Sequence, residues 1–269
     1  MTTIYYFSGT GNSLSVAKGI AEKLGETDLI PIPSLMQTSG EVAPPAGKVG
    51  IICPVYDSGI PVMVRDFLHR LRVSDSGYIF AVITMGGTGA AALKLIDQAL
   101  RQKNENGLDA GFIVKMPGNF PPVSKIPSKE KITAILKRAD PEIRRIAECV
   151  KNEERSRIGL YPVSSLIQSA LYGGFAKGVH AMDERLSVSD ACTACGICVS
   201  VCPAGNISIP DKKPVFHHTC ELCCACLNFC PEQAIDLAFL WGTKGRGRYH
   251  HPDVRVSDMK QQKEISGKL

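Results

Sequence analysis

Residues 3–14 read Thr3-Ile4-Tyr5-Tyr6-Phe7-Ser8-Gly9-Thr10-Gly11-Asn12-Ser13-Leu14. The first five are β-branched or aromatic and read as a buried strand. From Asn12 to Leu24 the apolar positions are Leu14, Val16, Ala17, Ile20, Ala21 and Leu24, which is helical spacing. The loop between them combines glycines, which let the backbone turn sharply, with the amide-rich start of a helix, which favours an anion. Ser8, Thr10 and Ser13 add hydroxyl donors, and the loop has no lysine or arginine, so hydroxyls and amides must hold a phosphate there. Moving outward, Val49 to Cys53, Tyr78 to Met85 and Ala110 to Met116 are strand-like, and Asp28 to Pro31 is a weaker strand. Helical patterns cover Pro61 to Leu71, Thr88 to Lys103 and Ser128 to Lys151, with Pro141 at an N-terminal turn or a break. Alternating β and α of this kind implies a parallel sheet covered on both faces.

Three identities compete for the glycine loop. A Walker A loop needs Gly-Lys-Ser/Thr, and the lysine is missing. A dinucleotide fingerprint needs glycine where Leu14 stands. The pattern Ser/Thr-x-Thr-Gly-Asn-Ser/Thr, at the first βα junction, resembles the phosphate loop of the flavodoxin family. That resemblance implies a doubly wound five-stranded parallel sheet and FMN, with Ser8, Gly9, Thr10, Gly11, Asn12 and Ser13 around the phosphate. It also implies a ring gripped by loops at the C-terminal edge of the sheet. After the third strand these are Pro54, Val55, Tyr56 and Gly59, with Tyr56 against the ring. After the fourth strand comes Met85-Gly86-Gly87-Thr88-Gly89. After the fifth, Asn119 can bond the flavin and Phe120 can cover it.

A second motif lies near the C-terminus. Cys192-x2-Cys195-x2-Cys198-x3-Cys202-Pro203 is repeated as Cys220-x2-Cys223-x2-Cys226-x3-Cys230-Pro231, an offset of 28 residues. Ile207 and Ile209 align with Ile235 and Leu237, so each copy ends in a short apolar strand, as expected of an internal duplication. The stretch resembles the bacterial 2[4Fe-4S] ferredoxins, in which the fourth cysteine of each run serves the other cluster. That gives one cluster Cys192, Cys195, Cys198 and Cys230, and the other Cys220, Cys223, Cys226 and Cys202. Zinc has no use for duplicated third and fourth thiolates. A disulfide framework suits small secreted chains, whereas here the cysteines number 11 and no charged leader precedes the first strand. Cys224 stands where the first copy has Gly196; it reads as a small buried thiol, a spare ligand or a modifier of the second cluster. Cys53 and Cys149 read as structural.

The chain has 269 residues, 44% of them hydrophobic, enough for one sizeable core beside a small α+β lobe. The expected parts are a flavodoxin-like domain over 1–155, a docking helix and linker over 156–186, a ferredoxin domain over 187–240, and a tail over 241–269 that packs back on the first domain. Leu160, Val163, Leu166, Ile167, Ala170, Leu171 and Phe175 form the linker's apolar stripe; a membrane-surface helix is the alternative. No apolar run reaches a membrane span, and the chain reads as cytoplasmic. The formal charge of +5 is offset by about two negative charges per four-thiolate cube and up to about two from a phosphate, which argues against nucleic acid. Lys244-Gly245-Arg246-Gly247-Arg248 reads as a solvated tail or a clamp on the flavodoxin domain, His250 and His251 as a surface pair, and Tyr249 as a neighbour of the flavin loops.

Taken whole, the chain resembles a bacterial and archaeal family of flavodoxin–ferredoxin fusions. The resemblance rests on the Ser8–Ser13 loop, the Pro54–Pro61 loop, both cysteine runs and the tail Gly247-Arg248-Tyr249-His250-His251-Pro252. It implies FMN, two [4Fe-4S] clusters, an anaerobic host and redox protein partners. An electron carrier and a flavin-dependent reductase of a small molecule both fit, so enzyme status stays open; a redox sensor has no supporting motif. No separate nicotinamide-binding fingerprint is present.

Overall fold

The computed structural model describes residues 1–73, 77–87, 91–156 and 165–264, with the side chains of 165–171 excepted. The expected Thr88-Gly89 turn therefore lies outside the described residues, as do Leu160, Val163 and the side chains of Leu166, Ile167, Ala170 and Leu171.

The first part alternates β1 (Thr2–Tyr6), α1 (Asn12–Leu24), β2 (Thr27–Pro31), α2 (Ile32–Leu35), β3 (Lys48–Pro54), α3 (Val62–Leu68), β4 (Tyr78–Met85), α4 (Ala92–Lys103), β5 (Ala110–Lys115) and α5 (Lys129–Lys151). Its five strands pair in parallel in the order β2-β1-β3-β4-β5. This is the flavodoxin-like doubly wound sheet, whose strand order reverses direction between β1 and β3. Every residue of β1 and β4 is buried, as two covered faces demand. One face packs on α1 and α5, the other on α3 and α4. Pro141 does not break α5. Ser128 caps that helix by accepting from the Lys131 amide, and Ala139, Ile143, Ile146, Ala147 and Val150 hold it to the core through the proline.

Then follow α6 (Ser165–Gly178), a 3-10 turn (Val179–Arg185), β6 (Leu186–Val188), α7 (Ile197–Val201), β7 (Ile207–Asp211), β8 (Lys213–Phe216), α8 (Ala225–Asn228), β9 (Ile235–Leu237) and α9 (Val256–Gln261). β6 pairs with β9 and β7 with β8, both antiparallel. The duplication is written into the backbone: left-handed φ angles recur 28 residues apart at Ala194 and Leu222, Gly196 and Cys224, and Gly205 and Gln233. Cys224 thus adopts a conformation that costs an L side chain about 1–2 kcal/mol and glycine nothing.

The two lobes share one apolar core. Val201, Ala225 and Phe229 of the small lobe, and Val254 and Met259 of the tail, join the cluster built on α1, α5 and β5. Tyr172 of α6 is buried in the opposite cluster, against Gly59. Among the described residues no helix is long and apolar enough to cross a membrane.

Candidate functional site

The loop after β1 is tightly turned and its polar side chains are buried. Gly11 caps α1 with φ 94°, and the Gly11 amide donates to the Ser8 hydroxyl at 3.1 Å. The amides of Asn12, Ser13 and Leu14 form the first turn of α1 and have no intrahelical acceptor. Ser8, Thr10, Asn12 and Ser13 are all buried. A small cavity here is lined by Ser8, Gly9, Thr10, Asn12, Ser13, Thr84, Met85 and Gly86, together with Pro54, Val55, Tyr56, Pro117 and Asn119. Thr84 shares a 2.7 Å hydroxyl contact with Ser13, and Asn119 donates to the Thr10 hydroxyl. Gly11, Gly59 and Gly87 do not line this space. Gly11 abuts Val254 and His251, Gly59 closes the Tyr56–Gly59 turn against Tyr172, and Gly87 is exposed.

Val55, Tyr56 and Asn119 also line a second, larger cavity of about 430 Å³. Phe120, Phe175, Met182, Leu222, Cys223 and Phe239 line it too, so both lobes contribute. Its lining is mostly apolar, with Asp57 and Asn119 as the polar exceptions. The Tyr56 ring faces this space while its hydroxyl is buried with no partner among the described residues. That hydroxyl lies 2.6 Å from the point where a Cβ on Gly9 would sit, and the Cys223 carbonyl lies 2.8 Å from the same point. The phosphate loop, Tyr56 and Cys223 therefore meet at one place.

Two further cavities are lined by cysteines. One collects Cys192, Cys195, Cys198 and Cys230; the other collects Cys202, Cys220, Cys223 and Cys226, with Cys224 beside them. Each set takes three cysteines from one run and the fourth from the other. Among the described residues, no group of three or more His, Cys, Asp or Glu side chains is arranged to hold a metal ion. Backbone amides already point at several sulfurs: Asn206 at Cys202 and Ala234 at Cys230, each at 3.3 Å, and Leu222 at Cys220 at 3.2 Å. Such bonds favour bound thiolates and tune a cluster's potential. Burial pushes the thiol of Cys198 up to about 11 and that of Cys220 up to about 12, and it raises Cys202, Cys223 and Cys226 as well. Loading metal must therefore displace protons from these groups.

Several residues that sequence reasoning passed over lock the lobes together. Asn228 donates to the Asn119 carbonyl and accepts from the Tyr249 amide, both at 3.0 Å. Gln262, fully buried, accepts from the Ser8 amide and donates to the Ser8 carbonyl. Glu221 accepts from the Met63 amide at the start of α3. The tail closes over the phosphate loop through Tyr249, which donates to Asn12 at 2.9 Å, and through the His251 amide, which donates to the Thr10 carbonyl. Of the expected surface pair only His250 is exposed, stacked on Phe229 at 4.2 Å, whereas His251 is buried, where desolvation lowers its pKa. The bare His-His dipeptide does not reveal that the two differ. Arg248 is paired with Asp236 of the small lobe at 3.0 Å, and it is Arg246 that reaches the sheet domain, donating to the Pro121 carbonyl at 2.6 Å.

Glu221 should make the stability of the docked lobes pH-dependent. Burial raises its pKa from an ordinary 4.5 to about 7, against the opposing pull of the Met63 and Val62 amides. A raised carboxyl contributes its full stability below pH 4.5 and loses it as pH climbs through about 7. The expected loss across that window is on the order of 3 kcal/mol. Thermal unfolding at several pH values should show it in the native protein, and Glu221→Gln should flatten the profile.

A family model described as a 4Fe-4S binding domain matches residues 188–208, the first cysteine run and its strand. No curated protein matches the chain. Solved structures similar to it include two-electron reduced flavodoxin from Megasphaera elsdenii, at 15% identity and TM-score 0.32 over 42% of this chain and 85% of that one. A flavoprotein in complex with FMN from Lactobacillus acidophilus NCFM is 12% identical, TM-score 0.31, over 42% of this chain and 91% of that one. An azoreductase from Bacillus anthracis str. Sterne is 12% identical, TM-score 0.38, over 55% and 99%. The fold assignment itself rests on strand order. A flavodoxin-like sheet joined to a 4Fe-4S binding region defines the class as an iron–sulfur protein of electron transfer.

Proposed function

We propose that this chain is an iron–sulfur flavoprotein that passes single electrons between two [4Fe-4S] clusters and one FMN, exchanging them with low-potential partners in anaerobic metabolism. The observation that carries the reading is the position of Cys223. It lines both a four-thiol cavity and the 430 Å³ cavity, and it touches the loop after β1.

In this reading the amides of α1's first turn and the hydroxyls of Ser8, Thr10 and Ser13 hold the phosphate. Val55, Tyr56, Asn119 and Phe120 orient the ring against the small lobe and exclude water from it. Cys220, Cys223, Cys226 and Cys202 hold the cluster next to the ring. Cys192, Cys195, Cys198 and Cys230 hold the outer one, with Cys195 exposed to solvent. Flavin couples one- and two-electron chemistry, which the clusters alone cannot do, and the protein supplies position and electrostatics. Residues 1–155, 156–186, 187–240 and 241–269 are then the flavodoxin-like domain, the docking linker, the ferredoxin domain and the closing tail. The size of the ring cavity favours a second reading, in which a small apolar molecule is reduced there.

Anaerobic purification with metal and flavin analysis tests the proposal. About eight irons and one FMN per chain are expected; zinc in their place, or no flavin, overturns it.

A further inference from the structure

Five large hydrophobic residues are strongly exposed among the described residues, and three of them, Val123, Leu240 and Trp241, sit together. Val123 and Leu240 line the mouth of the 430 Å³ cavity. Two loops bring them there. The Trp241 amide donates to the Pro122 carbonyl and the Ile126 amide to the Arg246 carbonyl, while Arg246 bonds Pro121 and lies 5.8 Å from the Trp241 ring. Lys244 and Arg246 lie beside Trp241 and Lys125 on the facing loop; Arg248 is largely buried and paired with Asp236, and Asp57 is the one acid on the cavity's lining. Lys125 and Lys244 are exposed, and neither has an ion-pair partner among the described residues. A tryptophan with neighbouring aliphatics and an arginine is the composition of a protein-binding hot spot, and unpaired cations around it select a partner of opposite charge. The exposed Cys195 end of the small lobe offers no such field, because its charges are of both signs: Lys213 paired with Asp190, and Glu232.

We propose that this patch docks an acidic one-electron carrier protein at the mouth of the ring cavity, an inference that rests on the flavin reading above. Each encounter moves one electron from the reduced carrier into the chain, or back, with no bond made or broken. The cationic rim speeds the encounter, and Leu240 and Trp241 hold it long enough for transfer.

Trp241 is the chain's single tryptophan, so it reports its own burial. An acidic, tryptophan-free [2Fe-2S] ferredoxin serves as probe, added to the full-length holoprotein at low and high salt. Docking should shift Trp241 emission to the blue, shield it from acrylamide, and weaken with salt. The charge reversals Lys125→Glu and Lys244→Glu together should weaken the Kd, read by calorimetry, by about tenfold or more. The conservative pair Lys125→Arg and Lys244→Arg should bind as the native chain does. Equal affinity in the charge-reversed variant, or a Trp241 still open to quencher in the complex, overturns the proposal. So does burial of Trp241 by NADPH that the same reversals abolish, since the patch would then be a dinucleotide site. Flavin content is read separately. A chain without flavin defeats the functional reading, while the association data still decide the surface.

Discussion

Gly9→Ala should strip flavin and one cluster from the chain together. Gly9 has an ordinary φ, so alanine brings no backbone strain; its effect is steric. The new methyl carbon would lie 2.6 Å from the Tyr56 hydroxyl, 2.8 Å from the Cys223 carbonyl and 2.9 Å from the Cys223 Cβ. The tyrosine can swing, but Cys223 is held between Cys220 and Cys226 and cannot retreat without moving a cluster ligand. Overpacking of this kind costs about 1–3 kcal/mol, and here it falls on the join between two sites. The measurement is flavin and iron content after anaerobic purification. Flavin should be lost with about half the iron, the cluster of Cys192, Cys195, Cys198 and Cys230 surviving. Gly87→Ala is the matched control, because a Cβ there meets nothing within 4 Å, and it should keep full cofactor content.

Crossed ligation makes the second large prediction. Cys202→Ala should destroy the cluster of Cys220, Cys223 and Cys226, which lie up to 24 residues away, and spare the one in its own run. Cys195→Ala should destroy the other. Each single variant then keeps about four irons, and the double variant keeps none. If ligation followed sequence order, both changes would hit one cluster and the double variant would still hold about four irons. Iron analysis of the three proteins separates the two arrangements.

The sheet was legible because its signals are local. Strand β4 and helix α1 have the bounds that apolar patterning assigns, and the glycine loop stands between β1 and α1 as expected. The ladder cysteines were legible because a fixed spacing is a fixed geometry. The contacts between lobes were not, since they join residues more than 100 positions apart, such as Asn228 with Asn119, or Gln262 with Ser8. A trace of them exists in the repeat. Where the second copy departs from the first, at Glu221 for Thr193 and Asn228 for Ser200, the departing residue touches the sheet domain. Cys224 for Gly196 departs as well, against the local backbone preference, and it shares a cavity with Cys202, Cys220, Cys223 and Cys226. Pro141 misled because loss of one helical hydrogen bond is offset by the buried face of α5.

The inner cluster and the flavin are expected to exchange electrons inside one molecule. Laser-flash photoreduction of the loaded protein, followed at flavin and cluster wavelengths over a range of protein concentrations, tests it most directly. A first-order exchange whose rate is the same at every concentration is the expected result. A rate that rises in proportion to concentration would mean that electrons pass only between molecules, contradicting the account.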